Sequence, residues 1–269
     1  MRPDPFSQSR WQVINHSAMH AHLIFSIAVF VIASVLHGVT GIGFPIMTTA
    51  ALALFMPLKS AILITLFPTL LINLLSFLSG HKPSNVIRSS APLALSSTVG
   101  SLLGVQLLFW VQQSYLLLAL ALATFFYVYS AVFREVKIAS PSRGGTLAYG
   151  MLAGLVGGPT NAMSPVLMMF LLSTSEDKNT ISQSANLCFL LGKLSQLVIF
   201  FLYGEAIFEP KLLSMTLGLT LISVIFLNVG FALRRRISVV RFKHIIIVVL
   251  ALLAVSLSVK AVTHLLGQF

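Results

Sequence analysis

Glycine, proline and hydroxyl residues gather at two places in the sequence, in a pattern suited to holding a small anion. The first place is Gly38-Val-Thr-Gly-Ile-Gly-Phe-Pro45, which contributes Gly38, Thr40, Gly41, Gly43 and Pro45. The second is Gly154-Leu-Val-Gly-Gly-Pro-Thr-Asn161, which contributes Gly157, Gly158, Thr160 and Asn161, with Ser164 and Pro165 just beyond. Both are expected to interrupt a helix. Glycine costs roughly 1 kcal/mol in a helix interior, and proline lacks an N–H and clashes with the preceding turn. A new helix is expected after each break, near Pro45 and near Ser164-Pro165, since proline suits the first turn and hydroxyl or amide residues suit the cap. Helix N-termini carry about half a positive charge and free N–H groups, and glycine lets backbone approach a ligand closely. Two such termini facing each other would cradle an anion. The plainer alternative is that the glycines only let helices pack closely, as read for Gly100-Ser-Leu-Leu-Gly104.

Lys193 is the second candidate. It lies well inside an apolar segment over 180–203, about ten residues (roughly 15 Å) from its end, too deep for easy snorkelling. An intramembrane charge is costly and usually functional. Gln183, Asn186, Lys193 and Gln196 recur at three- or seven-residue spacing, which is expected to put them on one face. In the first half Thr65, Thr69, Asn73 and Ser76 form a polar stripe; Asn73 is assigned to the solute site, with helix–helix hydrogen bonding as the alternative. His37 borders the first break and is the candidate for proton coupling, against a packing role. The aspartates and glutamates fall outside the apolar segments, so no carboxylate relay is indicated. The first break lacks the lysine of a phosphate-binding loop and the strand of a dinucleotide fold. With no cysteine–histidine metal cluster and no nucleophile triad, the sequence implies neither an enzyme, a metal nor a cofactor.

These residues require a membrane scaffold to position them. Of 269 residues, 57% are hydrophobic and 9% charged, against about 25% charged in soluble domains, and mean hydropathy is +0.96. Period-2 alternation is absent, which argues against a barrel. The net charge of +11 would suggest nucleic acid on a soluble protein; here the cations sit in short loops and set orientation, so the implied partners are a lipid bilayer and a small anionic solute, not nucleic acid, with a homodimer left open. Cys188 is the sole cysteine and excludes an intrachain disulfide. The pattern predicts an all-α integral membrane protein: a polar tail over 1–21, a first repeat over 22–133, a cytoplasmic linker over 134–145 and a second repeat over 146–266. Each repeat reads as one broken helix followed by three intact ones. Sliding the sequence by 116 residues pairs Gly38 with Gly154 and Thr49 with Pro165.

Loop charges refine this. Lys82 and Arg88, then Arg134, Lys137 and Arg143, then Arg234, Arg235, Arg236, Arg241 and Lys243 mark three cytoplasmic loops. All three share one side only if the segment over 146–172 enters and returns as a re-entrant hairpin, whose arms of about 12 residues, roughly 18 Å, are too short to span. Applied to both halves, this gives two inverted repeats with hairpins meeting near the midplane. The inference is weaker for the first half. The sequence resembles the sulfite exporter TauE/SafE family over residues 22–266. The resemblance rests on Gly38-Val-Thr-Gly-Ile-Gly-Phe44, Asn73, Gly80 and Gly150-Met-Leu-Ala-Gly-Leu-Val-Gly-Gly158. It implies two repeats and transport of sulfite, organosulfonates or related anions. Family members often carry glycine where Phe44 or Pro159 stands and proline where Thr49 stands, which leaves the substrate open. The expectation is a multi-pass inner-membrane secondary transporter of a small anion, working by alternating access; a passive channel and a non-transporting accessory protein are the alternatives.

Overall fold

The computed structural model describes residues 5–80, 83–132, 142–175, 177–205, 209–234, 236 and 239–266. They form ten helices and no strand: α1 (Pro5–Thr40), α2 (Phe44–Leu52), α3 (Leu58–Leu78), α4 (Pro83–Trp110), α5 (Gln113–Val132), α6 (Arg143–Thr160), α7 (Ser164–Thr174), α8 (Lys178–Leu202), α9 (Pro210–Arg234) and α10 (Val239–Leu266). Lys82, Arg134, Lys137 and Arg235 lie outside the described residues, as does most of the linker expected over 134–145. The expected polar tail is helical from Pro5, because no glycine or proline stands between Pro5 and Gly38 to stop the helix.

Seven of these helices carry apolar runs long enough to cross a membrane. Their outer faces expose large apolar side chains, among them Leu95, Leu122, Leu221 and Leu252, while Thr65, Asn73, Ser97, Asn186 and Lys193 are buried. Apolar groups outside and polar groups inside are what a hydrocarbon solvent selects, and the chain is a multi-pass membrane protein.

Both breaks are shorter than their sequences suggest. α1 continues through Gly38 to Thr40 and only Gly41–Gly43 is non-helical. α6 continues through Gly157, Gly158 and Pro159, leaving 161–163. The expected shift of 116 residues is therefore corrected to 120 (Thr40 to Thr160), which matches Gly41 with Asn161, Pro45 with Pro165 and Leu58 with Lys178. Gly41 and Asn161 are the residues that turn the chain, at φ 83° and 59°. That backbone region is open to glycine and, among other residues, is most often taken by asparagine and aspartate.

The chain folds back after each turn. Phe55, just past α2, packs edge-on against Phe25 of α1 with ring centroids 4.6 Å apart. Phe170 of α7 lies 5.5 Å from Tyr149 of α6. Both breaks are hairpin tips, the first as well as the second.

Several remaining break glycines serve packing. A methyl group on Gly38 would lie 2.8 Å from the Gly230 Cα, so α1 crosses α9 backbone to backbone. One on Gly158 would lie 2.7 Å from the Val105 amide nitrogen, so α6 and α4 meet the same way. The packing survives exchange of the halves: α1 on α9 answers α6 on α4, α3 on α9 answers α8 on α4, and α3 crosses α8 while α5 crosses α10.

Candidate functional site

The centre of the molecule is where the second tip meets α3 and α8. Asn161 ends α6 in the left-handed region, with its backbone N–H donating to the Gly157 carbonyl. Its side-chain Nδ2 donates to Thr49 Oγ1 of α2 at 2.7 Å and to Thr65 Oγ1 of α3 at 3.1 Å. Its Oδ1 accepts from Lys193 Nζ at 2.7 Å and from Gln196 Nε2 at 2.8 Å. Four bonds fix the amide orientation and tie one tip to three helices. Lys193 also donates to Gln196 Oε1 at 2.6 Å, and Gln196 Nε2 reaches the Gly158 carbonyl at 2.7 Å. The i, i+3 spacing on α8 makes the Lys193–Gln196 contact local.

Lys193 is 4% exposed. An ammonium group has three protons; two are committed to neutral amide oxygens, and among the described residues no carboxylate balances the charge. Beside it is a cavity of about 20 Å³ lined by Pro45, Thr69, Asn73, Ser101, Gly157, Asn161, Met163, Phe189, Gly192, Lys193 and Gln196. That is room for about one water. Thr69 Oγ1 and both polar atoms of the Asn73 amide are buried on this lining without a hydrogen-bond partner. Each unsatisfied buried group costs about 1–3 kcal/mol. Two of these atoms, Thr69 Oγ1 and Asn73 Nδ2, can donate a hydrogen bond into the cavity beside Lys193, while Asn73 Oδ1 can only accept one.

The residues expected at the site divide into groups. Pro45, Asn73, Gly157, Asn161, Lys193 and Gln196 meet on the cavity. Gly38 and the Gly158 Cα are spent on helix packing, although the Gly158 carbonyl holds Gln196. Thr160 Oγ accepts the Ala162 N–H and shapes the tip. Ser164 is buried without a partner and, like Pro165, is off the lining. Gly41 and Gly43, at φ 83° and 107°, form the first tip; the Gly41 carbonyl accepts from Asn186 Nδ2 at 2.8 Å and Ser182 Oγ at 3.1 Å, both on α8. Thr40 lines a different cavity. Both expected helix N-termini border the central cavity, that of α2 through Pro45 and that of α7 through its N-cap residue Met163. The Phe44 N–H of α2 is committed to His37 Nδ1 at 3.3 Å.

That bond fixes His37. Because Nδ1 accepts a backbone N–H, the ring proton is on Nε2, which donates to Ser76 Oγ at 3.0 Å. His37 is fully buried and stands off the cavity lining. A second proton could enter only at Nδ1, at the expense of the Phe44 bond that steadies the first tip. Ser101, Met163, Phe189 and Gly192 join the lining without a sequence signal of their own. Ser101 lies inside the Gly100–Gly104 packing motif, where its hydroxyl donates to the Gly192 carbonyl.

The family model described as "Sulfite exporter TauE/SafE" matches residues 26–257. No curated protein and no solved structure matches the chain.

Proposed function

The chain belongs to the sulfite exporter TauE/SafE family, and from that premise we propose that it is a secondary transporter of a small oxyanion, sulfite or an organosulfonate, held beside Lys193. The observation that carries this reading is the buried Lys193 side chain, without a carboxylate partner among the described residues, next to the orphaned Asn73 amide and Thr69 hydroxyl. A sulfite or sulfonate group offers negative charge and several acceptor oxygens and would engage Lys193 Nζ, Asn73 Nδ2 and Thr69 Oγ1 once the cavity, which here has room for about one water, widens to admit it. Charge-assisted bonds of this kind are roughly twice as strong as neutral ones. The small central cavity argues for an occluding carrier over an open pore.

Two inverted repeats give the carrier its movement. The first hairpin opens on the side where α3 begins, the second on the side where α8 begins, and three crossings (α3, α4, α5) separate them. Arg88, Arg143, Lys178, Arg234 and Arg236 then share one face, which the positive-inside rule assigns to the cytoplasm of the inner membrane. The opposite face carries the Lys59–Glu205 ion pair (2.6 Å). Rocking of one repeat against the other would expose the site alternately, and a cytoplasm-negative potential drives a monoanion outward by about 2.3 kcal/mol per 100 mV.

Sulfite counterflow in proteoliposomes tests the reading. Saturable uptake trans-stimulated by internal sulfite, abolished in Lys193→Met, is expected. Flux that rises linearly with sulfite, shows no trans-stimulation and ignores Lys193→Met would reject it.

A further inference from the structure

A second cavity, of about 130 Å³, opens beside the first tip, lined by Val39, Thr40, Ile42, Met168, Leu172, Lys178, Ile181, Ser182 and Arg234. It is distinct from the central one, with no lining residue in common. Its two ionisable groups are both cations. Lys178 begins α8 and Arg234 ends α9, so residues far apart in sequence bring their charges to one opening. Among the described residues neither is paired with a carboxylate. Asp177, the nearest acid along the chain, is already engaged as the α8 cap, accepting from the Asn179 and Thr180 N–H groups and from Thr180 Oγ1. The helix terminus is thereby satisfied, and the cavity's pull on an anion comes from the two side chains. Since a water needs roughly 10–15 Å³, the volume holds a small oxyanion with part of its hydration.

We propose that this cavity is a second anion site, in which a small soluble oxyanion docks between Lys178 and Arg234 before passing the first hairpin tip to Lys193. The inference rests on the anion-transport reading above for its ligand class, and on its own cavity and cations for its position. The tip is the partition: Thr40 and Ile42 face the second cavity, Pro45 the central one. Ser182 both lines the second cavity and, with Asn186, holds the Gly41 carbonyl. An anion arriving there sits beside the bonds that keep the tip closed. Gly43 has no neighbour within 4 Å of where a side chain would start, which leaves the tip free space for movement.

Selenite, a heavy-atom counterpart of sulfite, locates both sites by anomalous diffraction from crystals of the full chain grown with uncharged or zwitterionic lipid. A selenium peak between Lys178 and Arg234 is expected, lost in the Lys178→Gln/Arg234→Gln double variant, with the peak at Lys193 retained as the check that the variant is folded and competent. No selenium in the second cavity, whether or not the central one fills, overturns the proposal. So does a lipid headgroup phosphate occupying it, or a peak that survives the double substitution. Selenium at Lys178 and Arg234 with none at Lys193 would instead refute the central-site reading and the passage to Lys193, and leave the second anion site standing.

Discussion

Lys193 and Asn73 occupy equivalent places in the two halves, in the register that pairs Leu58 with Lys178, yet one is a cation and the other a neutral amide. On the transport reading proposed above, the pair would offer an anion one charge and one hydrogen-bond donor from facing helices. Replacing Lys193 by Met keeps most of the volume and removes the charge. Charged hydrogen bonds are worth about 1.5–3 kcal/mol, so sulfite affinity measured by calorimetry should fall roughly 10- to 150-fold. Asn73→Leu separates binding from folding. The wild-type amide is buried with no partner, so an apolar residue of similar size should hold or raise the melting temperature in detergent while sulfite binding is lost. A fall in stability together with retained binding would mean that Asn73 serves the fold alone. Such a trade of stability for function is common where a site must be ready for a ligand.

At the scale of elements, the first returning arm is short and held at both ends. His37 and the Gly41 carbonyl bonds hold its tip. At the other end Lys260 of α10 donates to the Ala53 and Leu54 carbonyls at 2.7 and 3.1 Å, just past the α2 C-terminus. A cation there satisfies orphan carbonyls and complements the helix dipole. Lys260→Met should release this clamp, and hydrogen exchange over residues 44–56 should quicken by about tenfold or more, consistent with the loss of about 1.5–3 kcal/mol. Unchanged exchange would assign the arm's order to packing alone. The glycine crossings make a separate prediction. A methyl group at Gly154 would lie 2.6 Å from the Ser101 amide nitrogen, against backbone that cannot swing aside. Gly154→Ala should therefore separate α4 from α6 and destabilise by about 1–3 kcal/mol, seen as a lower melting temperature.

For the whole molecule, the two-hairpin arrangement sets which loops share a side. Cys188 is buried, so the native thiol leaves a quiet background for labelling with a membrane-impermeant maleimide. Arg236→Cys should label only from the cytoplasmic face and Glu209→Cys only from the other; both positions are exposed. Labelling of both from one side would break the topology and with it the inverted relation of the repeats. The interior is built to tolerate polar groups because they bond across the halves, Asn161 to Thr49 and Thr65, Asn186 to Gly41. Each tip is thus anchored by the opposite repeat. Motion of one hairpin must break bonds belonging to the other half, which couples the two.

The sequence by itself determined the membrane class, the helix order and the two places where helices break, since these follow from apolar run length, glycine and proline. It also determined the face shared by Lys193 and Gln196, because helical spacing is local. Family membership was legible for the same reason, being carried by short glycine motifs. Tertiary structure decided which glycines turn the chain and which pack. Gly38 and Gly41 are the same residue type, and only the presence of Gly230 across from one and a positive φ at the other tells them apart. It also decided that Asn161 reaches α2 and α3, that Thr69 and Asn73 are left without partners beside Lys193, and that Lys178 and Arg234 meet at one opening. Periodicity gives a side chain its face on a helix, but what that face meets is fixed only when distant helices cross.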